Sequence, residues 1–200
     1  MKTLLIIPIV AVLIFFTGCA SYQSSTLSAL EPKYHSKELE SDGMIVGCKA
    51  FTTQDCHTYL DRDVLKEGYQ PIQLTFQNTS NKTFIFDAAG LSVASVDPHI
   101  VAKSVHTSTI GRVAGYSAGG LFFPILFIPA IVDGIASSNA NSALDVDYTT
   151  KARQQLMISP NSFEKTLVFI QKMQIAPVIE LDLLEKDSGE HHKIVLTLYD

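Results

Sequence analysis

Ile72-Gln73-Leu74-Thr75-Phe76-Gln77 alternates apolar and polar residues without a break. This is the period of a β-strand with one face in a core and the other in water. Asn78-Thr79-Ser80-Asn81-Lys82 follows with turn composition, and Thr83–Asp87 returns with Phe84 and Phe86 on one face. Leu91–Val96 reads as another short strand, and Met44–Phe51, upstream, as the first. Between Thr58 and Glu67, Leu60 and Val64 fall four apart and Gly68 follows. That spacing predicts a short helix with a glycine after its last turn. The C-terminal part repeats the strand style in Thr166–Ile170, Val178–Leu184 and Lys193–Tyr199. The last two are joined by Lys186-Asp187-Ser188-Gly189-Glu190, a hairpin loop with glycine in position. Short strands and polar turns predict a small antiparallel β-sandwich.

The middle of the chain differs in kind. Asp97-Pro98 places a capping residue before proline at the first helical position. No strand alternation is read until after Ser159-Pro160. The expected class is therefore mainly β with an α insertion, in which a helical excursion over 97–153 interrupts one sandwich domain over 43–200. Val113–Val132 is twenty residues without a charge, and Leu121–Val132 is twelve uninterrupted apolar residues counting Pro124 and Pro129. Gly111, Gly115 and Gly119 recur every fourth position, with Ala114 and Ala118 one step earlier. On a helix this makes a smooth stripe that another backbone can approach. Three uses stay open: packing on the sandwich, entry into a lipid leaflet, or contact with a second copy or a partner. Gly111, Gly115, Gly119, Leu121, Phe122, Phe123 and Phe127 are the candidate contact residues. The two prolines break the regular helix of a full span, and none is predicted.

With 200 residues there is ample chain for one core. The apolar share of 46% and charged share of 18% exclude wholesale disorder. Fifteen Lys and Arg against twenty Asp and Glu give a net charge of −5, which argues against nucleic acid as a partner. A mean hydropathy of +0.20 on an ordinary apolar share means the hydrophobicity is concentrated. One concentration is the middle stretch. The other is Leu4–Phe16 behind Lys2, too short to span comfortably and shaped as a secretory signal.

Phe16-Thr17-Gly18-Cys19 at the end of that stretch resembles the lipobox of bacterial lipoproteins, with Phe16 where leucine is usual. The resemblance implies cleavage of residues 1–18 and acylation of Cys19. By similarity to enterobacterial lipoproteins, Ala20 in place of Asp after the cysteine implies the outer membrane, with the body facing the periplasm or the surface. Loss of Lys2 leaves fourteen basic residues against twenty acidic, a mature charge of −6. Two or more acyl chains hold a protein firmly, at ~0.8 kcal/mol per buried CH₂. Residues 19–42, rich in Ser and Thr, are expected to be a lipidated N-terminus and flexible tether. Cys48 and Cys56 remain, and an oxidising compartment predicts a disulfide between them. Free thiols, or a metal pair with His57, are the alternatives, although a fourth ligand is missing in sequence.

Chemistry is sparsely signalled. His99, Lys103 and His106 share one face of the expected helix, but as a polar face opposite Val101 and Val105 rather than a metal site. His191 and His192 are adjacent on a strand and point opposite ways. Asp61-Arg62-Asp63 reads as solvated surface, and Asp145 and Asp147 lack the spacing of a calcium loop. No catalytic motif, Gly-rich phosphate loop or H-E-x-x-H is present. No catalytic residue, metal or cofactor is expected. The strand and Asn-rich-turn style resembles immunoglobulin-like domains of bacterial surface proteins, and the glycine stripe resembles glycine-zipper segments of envelope lipoproteins. Together these imply a membrane-anchored envelope lipoprotein, non-enzymatic, serving as a structural or protein-interaction module. Its implied partners are the membrane through the lipid and either a second copy or an envelope protein. The alternative is a carrier of lipid or another hydrophobic ligand that uses 113–132.

Overall fold

The computed structural model describes residues 21–36, 39, 42–107 and 127–198, with the backbone alone for 127–136. Two compact units divide the chain, and the sandwich unit holds residues 23–105 and 145–200. In the other unit, the Asn141 side chain brackets Thr107. Asn141 Oδ1 accepts from Thr107 N at 2.9 Å, and Asn141 Nδ2 donates to Thr107 O at 3.2 Å.

The sandwich unit is two antiparallel sheets. The first has the order β1 (His35–Ser36), β2 (Met44–Ala50), β3 (Tyr69–Asn78), β7 (Ser162–Gln171) and β5 (Ser95–Val96). The second has the order β6 (Gln155–Ile158), β4 (Phe84–Leu91), β8 (Val178–Glu185) and β9 (His191–Thr197). Met44, Val46, Cys48, Ile72, Leu74, Phe76, Val168 and Ile170 of the first sheet share a core with Phe84, Phe86, Ile179, Leu181, Leu183, Ile194 and Leu196 of the second. Gly189 turns the β8–β9 hairpin at φ +71°, a conformation that favours glycine. The mainly β sandwich with a helical insertion is thus the observed fold.

Ile72–Gln77 lies in the middle of β3 with its apolar residues inward, as the alternation demands. Its other face is out of water at Gln73 and Thr75, which are 1% and 2% exposed, and reaches solvent at Gln77. Beside them on the outward face, Leu167 and Phe169 of β7 are also buried, in register with Gln73 and Pro71. A third layer covers this face. Helix α1 (Thr53–Leu60) buries Cys56 and Leu60, and α2 (Pro98–Ser104) buries Val101 and Ala102. From the end of α3 (Phe127–Lys151), Tyr148 stacks on Phe169 at 5.7 Å between ring centroids. Tyr148 Oη donates to Leu60 O at 3.4 Å, which ties α1 to α3.

Several expectations need correction. The helix expected over 58–67 starts and ends earlier. Thr52 accepts from Asp55 N while Asp55 Oδ2 accepts from Thr52 N, a capping box that starts α1 at Thr53. Asp61, at φ 55°, ends it. Leu91–Val96 is not one strand: Leu91 closes β4 in one sheet, and Ser95–Val96 pairs with β7 in the other. β6 precedes Ser159 and was not expected, although Leu156 and Ile158 are its inward residues. Asp97 does cap α2, its Oδ1 accepting from His99 N at 2.8 Å. The helix stops at Ser104, so His106 lies beyond the face shared by His99 and Lys103.

Candidate functional site

The residues expected to carry anchoring and contact fall mostly outside the described part. Cys19, Gly111, Gly115, Gly119, Leu121, Phe122 and Phe123 lie outside the described residues, and Phe127 is described only as the first backbone position of α3. No described helix is long and apolar enough to cross a membrane.

The expected Cys48–Cys56 bridge is not formed, and both cysteines are free and buried. Strand alternation turns Cys48 into the sandwich core beside Met44 and Val46. Cys56, by contrast, faces the loop after α1, where it meets the backbone of Leu65 and Val64. The two side chains therefore belong to different apolar environments. Burial pushes the Cys48 thiol up to about 12. Burial, then the charges of Asp63 and Asp55, push Cys56 up to about 12. Both thiols are therefore protonated at neutral pH.

Within the segment that the sequence describes as a tether, residues 23–36 are bound to the body. Gln23 N donates to Asp61 Oδ2 at 3.2 Å and Ser25 N to Thr58 O at 2.9 Å, both on α1 or its cap. Ser28 Oγ and Tyr59 Oη share a hydrogen bond of 2.8 Å. From the sheet, Gln73 Nε2 donates to Ser28 O at 2.6 Å, and Lys165 Nζ donates to Leu27 O. Leu27 is 5% exposed. The polar outward face of β3 and β7 is thus the seat of the segment, which continues through the turn Pro32–Tyr34 into β1.

Lys151 closes the clasp. Its Nζ lies 2.7 Å from each of Ser24 Oγ, Tyr59 O and Asp147 Oδ2, and Ser24 Oγ donates to Asp147 Oδ2 at 2.8 Å. The Lys151 side chain is only 9% exposed. Three donors and three acceptors satisfy a buried ammonium, the condition under which a buried charge is tolerable. Asp145 and Asp147 lack the spacing of a calcium loop, and Asp147 is occupied with this lysine. Gly47 gives the segment room: a Cβ there would meet Thr75 Oγ1 at 2.3 Å, His35 Cδ2 at 3.0 Å and Leu30 Cδ1 at 3.3 Å.

A second polar cluster sits at the end of the β8–β9 hairpin. Ligand atoms of Glu185, Glu190 and His192 lie within 4.8 Å of one another. Lys82 Nζ already stands 2.9 Å from Glu185 Oε2, and its hydrogen bond holds the Glu185 carboxyl below its ordinary range. His192 Nε2 is 3.4 Å from the same oxygen. A lysine ammonium therefore occupies the cation position. His191 turns to a different partner, Asp182, at 2.8 Å.

Sequence reasoning missed the clasp because Ser24, Ser25 and Ser28 resemble a linker locally. The available signal was Leu27 and Leu30, two apolar residues three apart inside the polar run. Comparison with protein-family models, with curated proteins and with solved structures found no match.

Proposed function

We propose that the protein is an envelope lipoprotein, anchored through acylated Cys19 in a bacterial outer membrane, whose sandwich serves as a non-enzymatic structural or interaction module. The observation that carries the reading is the lipobox-like Phe16-Thr17-Gly18-Cys19 behind an apolar signal-like run. The clasped segment supports it from the other side. The sandwich unit begins at Gln23, only four positions after Cys19 in sequence. The chemistry required of such a module is a firm hold on the membrane and a stable scaffold. Two or more acyl chains supply the first, and a sandwich covered on its polar face by helices supplies the second.

The test is metabolic labelling with palmitate. The protein incorporates label and fractionates with membranes, whereas Cys19→Ser loses the label and is released. Labelling that survives Cys19→Ser would overturn the proposal.

A further inference from the structure

The clasp constrains where the body sits once Cys19 carries lipid. Gln23 is held at Asp61, and only Ala20, Ser21 and Tyr22 stand between it and Cys19. Four residue steps, fully extended, reach about 14 Å. A free tether over residues 19–42 would reach about 80 Å.

We propose that the strap of residues 23–28 seats the sandwich directly on the lipid surface. The C-terminal end of α1 then faces the lipids and the β6-β4-β8-β9 sheet faces away; this rests on the Cys19 anchor. The order of layers carries the direction. The strap and α1 lie on the outward face of the first sheet, through the bonds of Gln73 and Lys165 to Ser28 and Leu27. The second sheet packs on the opposite face, a further sheet spacing of about 10 Å away. Charge permits close approach. Asp61 and Asp147, the carboxylates that touch the start of the strap, are neutralised by Arg62 and Lys151. Anionic headgroups therefore meet no bare carboxylate at these two positions.

The chain contains no tryptophan, so single tryptophans report position cleanly. His57 is exposed one turn before Asp61 along α1, and Asp187 is exposed in the β8–β9 turn. The acylated mature chain carrying His57→Trp or Asp187→Trp is placed in phosphatidylethanolamine and phosphatidylglycerol vesicles with dansyl-labelled headgroups. Energy transfer from His57→Trp is expected to exceed that from Asp187→Trp several-fold. Twelve Gly and Ser residues inserted between Tyr22 and Gln23 add about 20 Å of root-mean-square reach. The insertion is expected to lower the His57→Trp signal to that of Asp187→Trp with the chain still on the vesicles. Amide exchange at Ser25, followed in the same samples, is expected to be slow throughout. Equal transfer from both positions in the uninserted, vesicle-bound chain, or rapid exchange at Ser25, overturns the proposal and leaves the anchor standing. A chain that carries no acyl group and stays off the vesicles overturns the anchor, and the proposal with it.

Discussion

Lys151 Nζ and Ser24 Oγ stand 2.7 Å apart across 127 positions of sequence. The bond joins the last turn of α3 to the first residues of the sandwich unit, so it exists only when the N-terminal strap is docked. Lys151→Ala removes the ammonium and leaves Ser24, Asp147 and Tyr59 O short of a donor. The expected loss is about 2 kcal/mol of unfolding free energy, the range for orphaned part-buried polar groups. The backbone amide of Ser25 should also exchange faster than those of β3. Denaturant titration and amide exchange check both, and an unchanged midpoint with Ser25 still protected would contradict the clasp.

Gly47 is the close approach that lets strap, β1 and β2 share one space. Gly47→Ala is expected to cost about 1–3 kcal/mol through overpacking against Thr75 Oγ1. Thr75→Ala in the same chain removes that oxygen and should recover part of the loss. Thermal unfolding of the two single variants and the double variant measures the coupling. Strict additivity would show that the contact does not limit packing.

The strands that were legible in sequence are those whose inward residues alternate against polar ones over a long run. Ile72–Gln77 is the clearest, and Val178–Leu184 follows it. β6 escaped because Gln155–Ile158 is four residues long and its neighbours carry no turn signal before Ser159. α1 was misplaced because Leu60 and Val64 have helical spacing, whereas the deciding local chemistry is the Thr52–Asp55 cap. Strap and thiols fail for a common reason. Whether Ser24 and Ser28 hang free depends on Lys151 and Gln73, far along the chain. Whether Cys48 meets Cys56 depends on which face of β2 and of α1 each occupies. Neither is a local property.

Two buried thiols of high pKa have a simple chemical signature. Cys48 and Cys56 are expected to resist maleimide in the folded chain at neutral pH. Both should react in denaturant without any reductant. Intact mass after labelling counts them. No label taken up before reduction would restore the disulfide.

Asp55 makes the α1 cap sensitive to acid. Burial works against its charge, but the bonds from Lys49 and then Thr52 outweigh it, and its carboxyl is held below the ordinary value of 3.8. A carboxyl held low in the fold stabilises it fully above the unfolded value and loses that contribution as the pH falls through the folded one. Stability is therefore expected to decline from about pH 5 downward. Asp55→Asn should decline less steeply over the same range. Thr52→Ala, which removes the other half of the cap, should cost about 1 kcal/mol at neutral pH. Urea midpoints across the pH series decide, and parallel curves for the native chain and Asp55→Asn would contradict this role.

The claim on which function rests is the anchor. Mass spectrometry of the N-terminal peptide from membrane-purified protein tests it most directly. The expected product is a chain that begins at Cys19 and carries a diacylglyceryl thioether together with an N-acyl group. A chain that retains residues 1–18, or begins elsewhere with Cys19 unmodified, would contradict it.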